Sequence, residues 1–407
     1  MQPTTFRARS IGKIDSQWQS VFDDYWPAYK SWYRQKKLGG INPGALKQGR
    51  RQLTMIMPEM LPLYDSFQEV SNDCPVAAQF LTGYQPPAYL VSCSQAVLLE
   101  EEPLLIRNYD LSPDLSENLL TQSNWLGQDI IGSNECLWGL DDGMNKSGLA
   151  ASLTFGGSNQ VGRGFGIPFI LRYMLQTCEN VKQAIKVLQR VPSHMAYNIT
   201  LVDKQGAFAT VMVAPDQPAI VTHERCITNH QSRVTWPQQA VFSKTLERKQ
   251  FLDELLARGK INEQQLRKAF LAAPLRSANY HQKFGTVYTA VYKPSSETMS
   301  YHWPAEKSWR HSFVDFRASA KTVNLGKQTN LMMVHGDVAE HADSDHSLPA
   351  SIRQQLLQSL VYLPVSVVGQ PDALANLKQN LQAENFFCWK DYAEQVAQVW
   401  RYPVPAN

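Results

Sequence analysis

The sequence predicts an α+β protein in which antiparallel sheets pack against helices. Three observations lead there. Short apolar segments of strand length come in pairs, each joined by a turn rich in Gly, Asp, Asn or Pro. The pairs come in groups, and segments with helical periodicity separate the groups. Strand and helix patterns never alternate one for one, as a doubly wound parallel sheet would require. With 407 residues, 43% hydrophobic and 18% charged, the chain has enough apolar material for a sizeable core.

The elements follow in order. Trp18, Phe22, Tyr25, Trp26, Tyr29, Trp32 and Tyr33 recur at helical spacing and predict a buried helix face. The Leu-Gly-Gly at 38–40 breaks that helix, and a second helical run covers about Arg50 to Glu69, interrupted by Pro58 and Pro62. The pattern then changes. Tyr89 to Leu99 reads as a strand, Glu100 to Pro103 as a turn and Leu104 to Tyr109 as its partner. A second hairpin reads as Cys136–Leu140, a polar turn over Asp141–Gly148 and Leu149–Phe155. Two helices follow at Ile167–Gln176 and Val181–Arg190, the latter capped by Asn180 and stopped by Pro192. Strands resume at Ile199–Val202 and Ala207–Val213, with one or two more over Ala219–Thr228. Helices at 245–257 and 262–273 precede a last hairpin, Thr286–Tyr292 with Thr298–His302. A mostly helical tail spans 348–400.

Composition narrows the function. Lys plus Arg is 39 and Asp plus Glu is 36, a net charge of +3 that gives no reason to expect nucleic acid or an anionic membrane as partner. The N-terminus has no apolar run long enough for a signal peptide, and no segment is long enough to span a membrane. The cysteines, at 74, 93, 136, 178, 226 and 388, are scattered without CxxC spacing, which predicts a reduced, cytoplasmic protein.

Four short stretches carry candidate chemistry. Cys93 lies in a strand flanked by Ser92 and Ser94. One hairpin later comes Arg107-Asn108-Tyr109-Asp110, and a guanidinium and a carboxylate beside a thiol are what a tuned thiolate needs. Asn145, in Gly143-Met-Asn-Lys-Ser-Gly-Leu149, and Asn229, in Thr228-Asn-His230, carry amides that could donate to an oxyanion or simply shape a turn. Residues 335–346 hold three His and three Asp, a pattern fit either for a metal or for a solvated loop. Gly162-Arg-Gly-Phe-Gly166 lacks the ending of a phosphate loop and reads as a flexible loop near the substrate pocket. Cys93 with His230 has the order of a papain-like pair, but hairpin surroundings do not suit it.

Taken in this order and context, these stretches resemble the cysteine N-terminal-nucleophile hydrolases, in the branch of acyl-coenzyme A:6-aminopenicillanate acyltransferase and choloylglycine hydrolase. The similarity covers roughly residues 85–305. It implies a four-layer αββα sandwich of two antiparallel sheets between helical layers. It also implies autoproteolysis between Ser92 and Cys93, dividing a leader-like segment 1–92 from a catalytic domain 93–407. The freed α-amine of Cys93 would serve as base for its own thiol, tuned by Arg107 and Asp110, with Asn145 and Asn229 facing the oxyanion. The implied activity is hydrolysis of a linear amide in a small acyl-amide substrate, with no cofactor and no metal. Alternatives stay open: acyl transfer from acyl-CoA to an amine, an uncleaved non-catalytic binding protein if the Cβ of Ser92 hinders the cut, and a metal-dependent hydrolase built on loop 335–346. Oligomeric state stays open as well.

Overall fold

Strand β1 (Thr4–Ile11) opens the chain, and helices α1 (Ser16–Lys36), α2 (Pro43–Ile56), α3 (Leu61–Val70) and α4 (Pro75–Leu81) follow. Next come β2 (Ser92–Leu98), β3 (Leu104–Leu111), β4 (Leu119–Ser123), β5 (Ile130–Glu135), β6 (Gly139–Asn145) and β7 (Leu149–Phe155). Helices α5 (Ile167–Thr177) and α6 (Val181–Arg190) lead to β8 (Tyr197–Asp203), β9 (Phe208–Val213), β10 (Ile220–Thr222) and β11 (Cys226–Ile227). Helices α7 (Pro237–Ser243), α8 (Thr245–Ala257) and α9 (Glu263–Phe270) precede β12 (Gly285–Lys293), β13 (Thr298–His302), β14 (Trp309–Ser312) and β15 (Ser319–Val323). This computed structural model describes residues 3–36, 43–72, 74–88, 92–259, 261–280 and 283–326, together with residue 379. The expected helical tail, apart from residue 379, and the His/Asp stretch 335–346 lie outside the described residues.

The strands form a nine-stranded sheet, ordered β10-β9-β8-β7-β6-β5-β4-β1-β15, and a six-stranded sheet, ordered β11-β2-β3-β12-β13-β14. The pairings are antiparallel except for β1 with β4, which run parallel. The inner faces meet where β2 and β3 cover β7 and β8. Helices α5 and α6 cover the outer face of the larger sheet, and α8 and α9 that of the smaller. The result is the four-layer αββα order. The main core runs from the space between the sheets to the layer beneath α1–α6, and a smaller core joins Ala96, Leu98 and Ile106 to Leu252, Leu266 and Phe270 beneath α8 and α9.

Local chemistry explains the boundaries. Asn180 Oδ1 accepts the Gln183 amide at 3.1 Å and caps α6. Asn262 and Gln265 form a reciprocal capping box at α9. The aromatic stripe becomes the buried face of α1, where Trp18 Nε1 donates to the Leu137 carbonyl at 3.2 Å. The glycine stretch 162–166 is pinned rather than loose. Gln85 N donates to Gly164 O, Gly166 N donates to Gly83 O, and a Cβ on Gly164 would stand 2.5 Å from Pro192 O.

The second expected hairpin is displaced. Asp141 to Asn145 belong to strand β6, not to a turn. The turn to β7 shrinks to residues 146–148, and a separate reversal precedes β6 at Cys136 and Leu137, both with positive φ. The reason is burial. Gly143 faces Gly132 across the β5–β6 ladder, where a Cβ would come within 2.9 Å of Ile131 O, and Asp142 finds a buried cation. A polar sequence therefore runs as a fully buried central strand.

The N-terminal segment is built into this architecture. Strand β1 lies between β4 and β15, and Phe6, Ala8 and Ile11 enter the core. Trp138 Nε1 donates to Leu81 O at the end of α4. Residues 1–329 form one compact unit. Among the described residues no helix is long and apolar enough to cross a membrane.

Candidate active site

Strand alternation gives Cys93 two different environments. On the face toward the larger sheet stand the Cys93 thiol, Gln95, Arg107 and Tyr109. On the face toward α8 stand Ser92, Ser94, Asn108 and Asp110. Arg107 and Asp110, three residues apart, thus point to opposite sides.

On the inner face, Arg107 Nη2 donates to Cys93 Sγ at 3.2 Å. Arg107 Nη1 pairs with the Asp142 carboxylate of β6, and both side chains are fully buried. Asp142 also accepts from Tyr288 at 3.0 Å, from Tyr292 at 2.6 Å and from Ser133. The Tyr109 ring lies beneath the guanidinium, 4.7 Å from its carbon. Burial pushes the Cys93 thiol up to about 11, with Arg107 opposing that rise.

On the outer face, the backbone of Cys93 is held rather than its thiol. Asn229, just past the end of β11, accepts the Cys93 N–H with its Oδ1 at 3.0 Å and the Ser92 hydroxyl at 2.8 Å. Arg248 of α8 donates to Asn229 Oδ1, Ser92 Oγ, Ser94 Oγ and the Cys93 carbonyl at 2.6–3.0 Å, and to Asp110 Oδ2 at 3.3 Å. Asp110 Oδ1 accepts from Thr286 at 2.6 Å. Burial raises the Asp110 carboxyl to about 6, against the pull of Arg248. An irregularity in β12 between Thr286 and Tyr288 lets these two residues serve opposite faces, one at Asp110 and one at Asp142.

Four expected residues, Cys93, Arg107, Asp110 and Asn229, therefore converge with Ser92. Asn229 arrives with its carbonyl toward the Cys93 nitrogen, while its Nδ2 faces Phe155 O at 3.3 Å. The expectation that it aims its NH2 at an oxyanion does not describe this geometry. Asn145 is not brought in. Its Nδ2 donates to the carbonyls of Leu175 and Cys178 at the end of α5, and its Oδ1 accepts from Leu149 N. It faces the helical layer of the larger sheet and closes a turn. His230 Nδ1 lies 2.9 Å from Thr245 Oγ1, not at Cys93.

Arg248, Asp142, Thr286 and Tyr288 were not singled out from sequence. Arg248 sits in an ordinary charged helix and carries no local signal. Asp142 reads in sequence as a turn residue. The one clue was an acidic pair between Leu140 and Met144, both of core type. Among the described residues, no group of three or more His, Cys, Asp or Glu side chains is arranged to hold a metal ion.

Two mostly antiparallel sheets packed face to face between helical layers form the αββα sandwich of the N-terminal-nucleophile hydrolase class, with Cys93 near the start of β2. The family model for acyl-coenzyme A:6-aminopenicillanic acid acyl-transferase matches residues 97–308, and the chain belongs to that family. The match begins just after Cys93. No curated protein sequence matches the chain. Among solved structures, it is similar to a mutant of conjugated bile acid hydrolase from Clostridium perfringens, with 10% identity and a TM-score of 0.41 over 59% of this chain and 99% of that one. It is also similar to the Caenorhabditis elegans N-acylethanolamine-hydrolyzing acid amidase ortholog, at 17% identity and a TM-score of 0.38 over 50% and 93%. A third similarity is to penicillin V acylase from Agrobacterium tumefaciens, at 13% identity and a TM-score of 0.34 over 56% and 90%. The family is described by an acyl-transferase, which makes the chain an enzyme of acyl-group chemistry in general terms.

Proposed function

We propose that the protein is a cysteine amidohydrolase acting on small acyl amides, and that it matures by cutting its own Ser92–Cys93 bond. The observation that carries this reading is the dual grip on Cys93: a guanidinium at Sγ and a carbonyl oxygen at the backbone nitrogen. The thiol and the nitrogen that would become its base are thereby fixed together.

In the cut, Sγ bonds to the Ser92 carbonyl carbon, the carbon–nitrogen bond breaks, and the thiol proton passes to the departing nitrogen. Water then adds to the thioester, leaving a Ser92 carboxylate, a Cys93 thiol and a free Cys93 α-amine. In turnover the amine takes the thiol proton as Sγ attacks the substrate carbonyl and gives it to the leaving amine. Water resolves the acyl-thioester and releases the acid. Arg107 stabilises the thiolate, Asn229 orients the amine, and Asp110 acts on the opposite face through Arg248. Asn145 has no part in this set. Acyl transfer is the second reading, favoured by the family's namesake activity. It uses the same thioester, with an amine in place of water.

The segment before residue 93 stays in the mature protein on this reading, because β1 and α1–α4 are packed into the fold. Intact-mass measurement tests the proposal. Purified protein should resolve into pieces of 92 and 315 residues that co-elute in native chromatography, the larger beginning at Cys93. Cys93→Ala should stay whole. A wild-type chain that never divides, or an alanine variant that still does, overturns the assignment. Iodoacetamide should stop acyl-amide turnover.

A further inference from the structure

Arg276, in the loop after α9, is half-buried, and among the described residues no carboxylate pairs with it. Its Nη2 donates to the Leu325 carbonyl at 2.8 Å and to the Tyr280 hydroxyl at 3.3 Å. Both protons of that nitrogen are thereby used. The donors that remain, on Nε and Nη1, are not neighbours on the guanidinium, so the paired fork that suits a carboxylate is no longer on offer. What remains suits an acceptor of a single atom.

Arg276 lines a recess of about 240 Å³, partly open to solvent, together with Tyr280, Thr286, His302, Trp303 and Asn324. Sites for drug-sized ligands run to roughly 300–1,000 Å³, so the occupant of this one is small. Most of the wall has no donor to spare. Tyr280 and Trp303 donate to the carbonyls of Thr286 and Val287, both at 2.8 Å, and Thr286 donates to Asp110 at 2.6 Å. Asn324 differs. Its Oδ1 accepts the Gly326 N–H at 3.1 Å, which leaves its Nδ2 as a donor at the rim.

The sign of the local field follows from the lining, which contains no Asp or Glu. Burial pushes His302 down to about 3, and Arg267 and Arg310 push it the same way, so the imidazole is neutral. Arg267 is answered by Glu263 at 3.1 Å, whereas Arg310 is exposed and has no carboxylate partner among the described residues. Asp110 stands behind Thr286 and pairs with Arg248 at 3.3 Å. Its carboxyl, raised by burial, feels Arg276 among the groups that pull it back down, so the recess lies within electrostatic reach of the candidate active site. A small recess with neutral walls and a cation at its side favours negative charge.

We propose that this recess is a halide site, binding chloride between the Arg276 guanidinium and the Asn324 amide. The site does not depend on the self-cleavage reading.

The test is the thermal midpoint of the full chain as chloride replaces gluconate, an anion too large for the recess, at constant ionic strength. The midpoint should rise with chloride and level off, gaining about 2 °C at a tenfold excess over the dissociation constant. Arg276→Met should lose the saturating part of the rise, and Asn324→Leu should weaken binding about tenfold. Formate should bind no tighter than chloride. A strictly linear response in the wild type, or the same saturation in Arg276→Met, overturns the site. A tenfold preference for formate overturns the choice of ligand. If Arg276→Met does not fold by circular dichroism, Asn324→Leu decides, and binding at full strength in that variant overturns the proposal.

Discussion

Around Cys93 the buried carboxylates face guanidinium groups, Asp142 against Arg107 and Asp110 against Arg248. A short distance away Glu117 and Glu135 are buried as deeply but are held by phenols, an amide and backbone, with Asp141 buried beside Glu135. Tyr29 donates to both Glu117 and Glu135 at 2.7 Å, Tyr109 reaches Glu135 at 3.2 Å, and Asn134 reaches Glu117 at 2.7 Å. Tyr109 belongs to both regions, its ring under Arg107 and its hydroxyl at Glu135. The difference lies in what compensates burial. A cation keeps a carboxylate charged and fixes its position, whereas phenols and amides let it hold a proton instead. Burial raises Glu135 well above the usual carboxylate range and Asp141 to about 7 against the pull of Arg107, and it raises Asp110 less far, to about 6, against the pull of Arg248. The first region is suited to electrostatic work on a thiol. The second is a joint between α1 and the larger sheet.

The strongest way to break this contrast is Asp142→Asn. It leaves Arg107 buried without its charge partner and should cost about 3–5 kcal/mol, read from the urea midpoint. A smaller loss separates Asn145 from the nucleophile. Asn145→Ala strips partners from Leu175 O, Cys178 O and Leu149 N, and should cost about 1–3 kcal/mol in the same measurement. In the phenol-held region, Tyr29→Phe should cost about 1 kcal/mol, since a neutral hydroxyl gives up its bonds to Glu117, Glu135 and the Cys136 N–H.

The gentlest test is pH. Glu135 and Asp141 bind protons more tightly folded than unfolded, so folding takes up protons between the unfolded carboxylate range and about pH 7. Their contribution is full below about pH 4 and fades as the pH rises through 7. The buried His302 and His311, depressed to about 3 and 4, pull the other way between about pH 5 and 6.5, so the carboxyl share is read by difference: the gain of wild type over Glu135→Gln in thermal midpoint should be a few degrees larger at pH 5 than at pH 8. A difference between the two proteins that does not change with pH would mean that Glu135 is ionised in the folded protein.

What could be read ahead of the structure follows the same divide between local and non-local causes. The hairpin of β2 and β3, the capped helix after Asn180 and the final β12–β13 hairpin are written in contiguous patterns of apolar residues, turns and caps. Cys93 and Arg107 were legible because one hairpin joins them. The strand character of Asp141–Asn145 was not, because its cause is an arginine contributed by the other sheet. Strand β1 was missed for a similar reason: Thr4–Ile11 is short, and its partners are Leu119–Ser123 and Ser319–Val323. Arg248 was unreadable for want of a local signature, since its meaning comes from groups scattered from Ser92 to Asn229. The role expected of Asn145 failed on strand parity: its side chain stands on the outer face of its sheet.

Strand β1 also bears on how the protein is made. Its neighbours are β4 and β15, so one side waits for residue 119 and the other for residue 319. During synthesis β1 leaves the ribosome before every other described strand, yet it is among the last to be flanked on both sides. Until then it offers an unpaired edge, the kind of surface that invites mispairing with another chain. Contacts this far apart in sequence form late. The sheet is finished only when nearly all of the described chain has emerged, so a nascent chain stalled before residue 319 should be markedly more prone to aggregate than one released just beyond it.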